Sequence, residues 1–435
     1  MNITNFLNEQ YSDSALYMNY RSCPSYIDGQ KNAARKVVYT VRKTNLKTQE
    51  KVSALASEIV KEAAYLHGDA SGQGTIVTMA QSYCGSNNLP VLEGVGAFGT
   101  RFTTESAAPR YIFAKPSKYF DSLFRKEDDC NLISQEFEGG PIEPVFYVPT
   151  LPLLLVNGST GIGVGFAPKI LPRSLKNIIK LIKDVLNDKE MDSKLLVPCW
   201  NGFTGSVKSL GNNKWEIRGH IVSIVKRTVT IDELPISYDL LGYINFLKKL
   251  KEKGIIEKYV DYSEDDKFKF EVTMTYIPAD EEQAMNTLGL VETITESLVT
   301  IDEHNSIREF DTVEELFDAY YYIKKEYLRK RLASEIKKLE SEEKLLKEIF
   351  TFITSVIKGE INLKLKKAEV EKQLKGKGFE NTDKLLGMPL YSVTEDKAKE
   401  IEKKWKDKIA ELEAMKKQTP TTLWMKDLDE LEKNI

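Results

Sequence analysis

The order of apolar and polar residues changes character twice along the 435-residue chain. Residues 30 to about 125 mix short helical patterns with Gly-rich turns, whereas 126 to 310 carry the convincing strand signals. Two hairpin-like stretches stand out. In SVKSLGNNKWEIRGHIVSI (206–224) the turn Gly211-Asn212-Asn213 separates alternating apolar runs, and DKFKFEVTMTYI (266–277) has a period of two. From about 312 onward the pattern becomes long, charged and helical, with little Gly or Pro. A heptad seam runs through Leu332, Ile336, Leu339, Glu343, Leu346, Phe350, Ile353 and Ile357, interrupted by one charge and closed by Gly359. A second periodic stretch, Ile401, Trp405, Ile409 and Leu412, follows the N-cap residue Thr394. Two long helices joined by an insert at about 359–392 predict an antiparallel coiled-coil arm with a small tip.

Length predicts more than one core, roughly two to four domains. With 41% hydrophobic and 29% charged residues the chain reads as a folded globular protein. No basic-then-apolar leader opens it and no run approaches the ~20 apolar residues of a membrane span, so the expectation is a cytoplasmic protein with no membrane partner. Cys23, Cys84, Cys130 and Cys199 are widely separated and form no CxxC pair, which predicts reduced thiols.

The net charge of −3 argues weakly against a polyanion partner, but its distribution reverses that. Up to residue 120 there are 13 basic and 9 acidic side chains, so the basic excess lies at the front. Residues 31–51 hold seven basic side chains against Glu50 alone, a density suited to a phosphate backbone or to a solvated helix face.

Candidate chemistry narrows next. GVGAFG (94–99) matches GxGxxG, but no amphipathic helix follows in RFTTESAAP, so a nicotinamide enzyme is a poor reading. No GxxxxGK(S/T) loop is present, and Asp427-Leu428-Asp429 in a charged helical tail is a weak metal candidate. The three histidines, His67, His220 and His304, do not cluster in sequence, so no metal site is expected. His67 differs in lying within the polar turn HGDASGQG. In AAPRYIFAKPSKYF (107–120) Arg110 adjoins Tyr111, with Lys115 and Lys118 close behind. A phenol with pKa about 10 needs nearby cations and a positioned metal to attack a phosphodiester. With 20 tyrosines in the chain, spacing alone does not select Tyr111 over a packing role.

Four blocks in order resolve this. YRSCPSYIDGQKNAARKVVY (20–39), YLHGDASGQGTIVTMAQ (65–81), LPVLEGVGAFGTR with AAPRYIFAK (89–115) and EPVFYVPTLPLLLVNGSTGIGVGFAPKILPRSL (143–175) resemble the A-type, breakage-and-reunion subunits of type IIA DNA topoisomerases, nearest the medium subunit of the T-even-like phage enzymes. IDELPISYD, LLGMPLYSVTEDKAKEI and LWMKDLDEL extend the likeness over essentially the whole chain.

The resemblance implies a multidomain α+β protein: a winged-helix DNA-binding and cleavage domain at 1–125, a mixed α/β tower at 126–310, and at 311–435 a coiled-coil arm whose tip at about 359–392 forms a dimer contact. It implies Tyr111 as nucleophile, Arg110 as its adjoining transition-state cation, Arg21 as the arginine that activates the scissile phosphate, and His67 beside that phosphate. Lys31, Arg35 and Lys36 match backbone-contacting positions, and Ile162 matches the isoleucine that wedges between base pairs. The chain departs from the pattern at Asn32, where proline is usual, and at Ala34. Ala70 and Ser71 are out of register with the usual drug-contacting hydroxyl.

The implied function is ATP-dependent double-strand DNA passage through 5′-phosphotyrosyl links. Double-stranded DNA and a second copy of the chain would be partners, with ATP and Mg2+ handled by separate ATPase/Toprim subunits in a heterotetramer or larger assembly. Without the repeated DNA-wrapping domain found in gyrase, relaxation is expected over negative supercoiling, in a host-cell cytoplasm if the source is a phage. A non-catalytic coiled-coil DNA-binding protein is the competing reading, and it predicts that DNA is never covalently attached.

Overall fold

The apolar spacing of NAARKVVYTVRK closes a helix over Asn32–Lys43 whose Val37, Val38 and Val41 are buried, in a computed structural model that describes residues 3–363, 365–389 and 393–435. Each such side chain contributes about 1.5–3 kcal/mol relative to exposure. Helices Val52–Ala63 and Asp69–Ala80 pack on it through Leu55, Ile59, Ile76 and Val77. Helix Val52–Ala63 stops at Ala64, whose φ of 49° leaves the right-handed region and turns the chain toward Tyr65 and His67. Strands Glu50–Lys51, Leu92–Val95 and Phe113–Pro116 form an antiparallel sheet with Phe113–Pro116 in the middle. That central strand starts two residues after Tyr111.

The middle region holds the strands its alternation predicts. Strands His220–Val225, Thr228–Glu233, Phe270–Met274 and Ile256–Asp261 pair antiparallel in that order, and Phe270, Val272 and Met274 all face one core. Tyr243, Leu247 and Leu250 of helix Leu240–Glu252 cover it. A second sheet orders Val291–Thr295, Lys214–Arg218 and Ser206–Gly211. Its hairpin turns at Gly211, Asn212 and Asn213, with φ values of 82°, 51° and 56°, a backbone that Gly and Asn tolerate.

Contacts divide the chain into two units: one runs to Lys324 and includes Met425–Ile435, and the other is Lys325–Trp424. Helix Val313–Ile357 crosses that division and ends before Gly359, at φ 78°. Within the second unit helix Glu395–Lys416, capped by Thr394, runs antiparallel to it: Trp405 stacks on Phe350 at 5.9 Å between ring centres, while Lys416 pairs with Glu340 further along. The charged interruption in the seam, Glu343, accepts a 2.6 Å hydrogen bond from Trp405 Nε1. Helices Lys367–Gly376 and Thr382–Leu386 gather Val370, Leu374, Phe379 and Leu385 with Phe352, Ile353 and Ile401 into a small core. Lys364 and residues 390–392 of the expected tip lie outside the described residues.

In the first unit, the end of helix Pro420–Asn434 is held by charge: Lys183 bonds Asp429 at 2.8 Å and Glu432 at 2.5 Å, and Arg125 lies 3.4 Å from the buried Asp427. Both carboxylates of Asp427-Leu428-Asp429 thus serve ion pairs. Among the described residues no helix is long and apolar enough to cross a membrane.

Candidate active site

Tyr111 ends a tight turn in which its own N–H donates to Ala108 O at 2.9 Å. Val52 N donates to Ile112 O and Ser53 N to Pro109 O, at 3.1 and 3.3 Å, pinning both sides of the turn to the start of helix Val52–Ala63. Ile112 is buried beneath it, so alternation sends Tyr111 outward: at 71% exposure it is the most exposed tyrosine among the described residues. The Arg110 guanidinium carbon lies 5.8 Å from the Tyr111 ring centre. Exposure and a nearby cation are what an attacking phenol requires; buried Tyr26 and Tyr147 also lie beside arginines, so it is exposure that sets Tyr111 apart from them.

The GVGAFG segment that precedes this turn uses its glycines for close packing. A Cβ on Gly94 would meet the Phe98 ring at 2.6 Å, and one on Gly99, at φ 97°, would meet Thr104 O at 2.7 Å. The glycines let the loop fold back on itself.

A cleft of about 820 Å3 brings together Arg21, Lys31 and His67 with the hydroxyls of Thr75, Thr78 and Thr160. Arg21 comes from the last turn of helix Ser12–Ser22 and His67 from the turn before helix Asp69–Ala80. Lys31 Nζ donates to Thr160 O at 2.6 Å. Burial, only partly opposed by Cys23, lowers the pKa of Lys31. His67 is also shifted downward, by burial first and then by the charges of Arg21 and Lys36, so its neutral form is favoured. Its Nε2 is 2.7 Å from Tyr17 Oη, and its ring is met edge-on by the buried Tyr65 at 5.5 Å.

Arg35 and Lys36 depart from the backbone-contact expectation. Arg35 is 3% exposed and bonds Asp28 through Nε at 2.7 Å and Nη2 at 3.1 Å. Burial disfavours its charge, but Asp28 more than compensates, leaving its pKa raised. Lys36, 8% exposed, bonds Glu143 at 2.8 Å and Ala63 O at 2.5 Å. An ion pair already desolvated has no free charge to offer a phosphate. Both hold the core together instead.

Ile162 lies in the hairpin loop between Ser159–Thr160 and Lys169–Ile170, one residue before its closing turn, and is 85% exposed. Two close approaches fix that loop: Asn19 Oδ1 accepts from Val164 N at 2.7 Å, and Asn19 Nδ2 donates to Val164 O at 3.1 Å. Gly161 and Gly163 flank Ile162 because a Cβ at either would collide, with Ser22 O or with Asn19 Oδ1. The expected residues therefore separate into a cleft group, an exposed Arg110–Tyr111 turn, the exposed Ile162 and two buried cations. Sequence reading missed Tyr17, Tyr65 and Asn19; the only available signal was that Tyr17 and Arg21 are four apart on one helix.

Mg2+ does not fit the residues present. Among the described residues no group of three or more His, Cys, Asp or Glu could hold a metal, and Glu292 is the sole carboxylate lining the cationic cleft.

Residues 21–429 match the model of the family of A subunits of DNA gyrase/topoisomerase IV. The chain is 31% identical to DNA topoisomerase 2 of Plasmodium falciparum over 480 residues, covering 99% of this chain and 34% of that protein. It is 30% identical to the mitochondrial DNA topoisomerase 2 of Dictyostelium discoideum over 450 residues, covering 99% and 35%. A crystal structure of the Plasmodium falciparum topoisomerase II DNA-binding, cleavage and re-ligation domain superposes with a TM-score of 0.87 at 31% identity, covering 99% of this chain and 64% of that one. The chain spans about a third of the length of these curated relatives. With the family match running from Arg21 through the Arg110–Tyr111 turn to the C-terminal helix, the chain belongs to the family of DNA gyrase/topoisomerase IV A subunits.

Proposed function

We propose that this chain is the DNA breakage-and-reunion part of a type IIA topoisomerase and that Tyr111 is its nucleophile. The observation that carries this is the pinned turn, which holds Tyr111 at 71% exposure beside Arg110 while Ile112 anchors it from below. Tyr111 Oη attacks a backbone phosphorus, the phenol proton leaves to base or water, and the P–O3′ bond breaks as the O–P bond forms, the departing 3′ oxygen taking up a proton from water. The products are a 5′-phosphotyrosyl link and a free 3′-hydroxyl, and the reverse attack reseals the strand. One ester replaces another, so no external energy is consumed in resealing.

Arg110 offsets charge on the attacked phosphate, while Arg21, Lys31 and His67 line a cleft chemically suited to a neighbouring phosphate. Ile162 wedges the duplex open at a cost of a few kcal/mol, offset by wider contact. The front domain is read as a winged helix, supported by three helices and a small antiparallel sheet; 126–310 is read as the tower and 311–435 as the arm. A dimer of the chain, joined at the front domain and at the tip, makes the two cuts of a double-strand break. Exposed Ile357 and Leu365 beside the tip core support an apolar contact there.

Metal and ATP chemistry are supplied from outside the matched region. On the finer reading, nearest a phage medium subunit acting in a host cytoplasm, they come from separate ATPase/Toprim subunits. The Plasmodium and Dictyostelium relatives are eukaryotic topoisomerase 2 chains, so copurification of such subunits distinguishes the two arrangements.

The test is covalent trapping: chain, ATPase/Toprim subunits, Mg2+ and end-labelled DNA are mixed and quenched with detergent. Wild type gives a protease-sensitive adduct on 5′ ends and Tyr111→Phe gives none. Equal cleavage by the variant would assign Tyr111 a structural role.

A further inference from the structure

His67 lies in the cationic cleft with Arg21, yet its orientation depends on a residue that no motif singles out. Tyr17 sits one helical turn before Arg21 on helix Ser12–Ser22 and 50 residues before His67, and its hydroxyl is 2.7 Å from His67 Nε2. The Tyr17 ring lies 5.9 Å from the His67 ring and 5.9 Å from the Arg21 guanidinium carbon. One side chain therefore touches both groups expected at the scissile phosphate. Tyr65, itself buried and tied through its hydroxyl to Ser71 Oγ at 2.7 Å, meets the imidazole edge-on from another direction. The ring is bracketed by two aromatics and anchored at one nitrogen.

A neutral imidazole has one N–H and one lone pair, and the partner of one nitrogen decides the role of the other. A phenol is a far stronger acid than the N–H of a neutral imidazole, and the bare imidazole nitrogen is the stronger base of the two, so the phenol donates. We propose that Tyr17 is a positioning residue which donates to His67 Nε2, fixes the Nδ1–H tautomer, and so reserves Nδ1–H as an uncharged donor for a phosphate oxygen in the Arg21 cleft. Among the described residues Nδ1 has no hydrogen-bond partner, which leaves it available. The low pKa of His67 agrees with this, since a charged ring would have no acceptor for the phenol. The catalytic half of the proposal rests on the cleavage reading above; the tautomer half does not.

Two measurements separate them. The intact chain contains only three histidines, so its imidazole nitrogens can be resolved by 15N labelling, with His67→Ala assigning the signal. Wild-type His67 is expected as the Nδ1–H form, and Tyr17→Phe, which keeps the ring and loses the hydroxyl, moves it toward Nε2–H. In the complete mixture with DNA, Tyr17→Phe lowers the cleavage rate about tenfold, the lower end of what losing an outer hydrogen-bond partner costs. The same change made on top of His67→Ala has no further effect, because Tyr17 acts only through His67. An unchanged tautomer in Tyr17→Phe, or losses that multiply in the double variant, would overturn the proposal. If wild type forms no adduct in an otherwise active mixture, the cleavage reading and the catalytic use of this pair both fall, whatever the tautomer.

Discussion

Arg35 and Asp28 form a buried, two-bond ion pair, Nε–Oδ2 at 2.7 Å and Nη2–Oδ1 at 3.1 Å, and the same aspartate accepts from the backbone N–H of Gln30 and of Tyr147. Arg35→Ala leaves that carboxylate buried without its cation, which costs about 3–5 kcal/mol. A phosphate contact would behave oppositely, weakening DNA binding and its salt dependence with stability intact. Chemical denaturation alongside DNA titration at two salt concentrations separates the two, and loss of stability is the expected result.

Ile162 makes the reverse prediction. Exposed at 85%, its replacement in Ile162→Ala changes folding stability by no more than about 0.5 kcal/mol. DNA bending, read by energy transfer between dyes at the ends of a short duplex, decreases, and cleavage falls with it. An unchanged bend would remove the wedge role.

His67 governs a pH dependence whose sign is fixed by its lowered pKa. An unfolded histidine titrates near about 6.5. Between that value and its lower folded pKa the unfolded chain binds more protons, so stability falls as pH drops through this window, then levels off once folded His67 is also charged. Proton NMR of the ring should place its midpoint below that of the unfolded chain, and His67→Gln should flatten this part of the stability profile.

In the helical arm, Trp405 Nε1 donates to Glu343 at 2.6 Å from within the apolar seam. Trp405→Phe leaves a half-buried carboxylate unpaired and costs about 1–3 kcal/mol, whereas Glu343→Leu in the same seam costs less or stabilises. Thermal unfolding of both variants tests the order.

How far the sequence could be read depended on how local the cause was. The Gly211-Asn212-Asn213 turn, the Thr394 cap and the alternation of Phe270, Val272 and Met274 are decided within a few residues, and all three were legible. Glu343 read as a flaw in the heptad because its partner is 62 residues away. The basic run from Lys31 to Lys51 looked like one electrostatic surface, yet it divides: Lys31 lines the cleft, while Lys36 is neutralised by Glu143, 107 residues downstream. Charge counting has no access to that separation. Tyr111 could be chosen among 20 tyrosines only by resemblance; the structure adds that it is exposed at 71%, close to Tyr322 at 69%. Tyr17 had no signal beyond its helical spacing to Arg21, since its hydrogen bond exists only after the chain has closed on His67.

Asn19 sits between Tyr17 and Arg21 on a single helix, and its two bonds to Val164 tether the hairpin that carries Ile162. Tyr17 and Arg21 thus lie about 3 Å of helix axis to either side of the residue that holds the Ile162 hairpin. Displacing that hairpin would therefore act on the same helix that carries Tyr17 and Arg21. On the proposed reading of Ile162 as a wedge, one short helix carries both the residue that braces the hairpin and the arginine that lines the cleft, so the two are coupled through backbone and not through a flexible side chain.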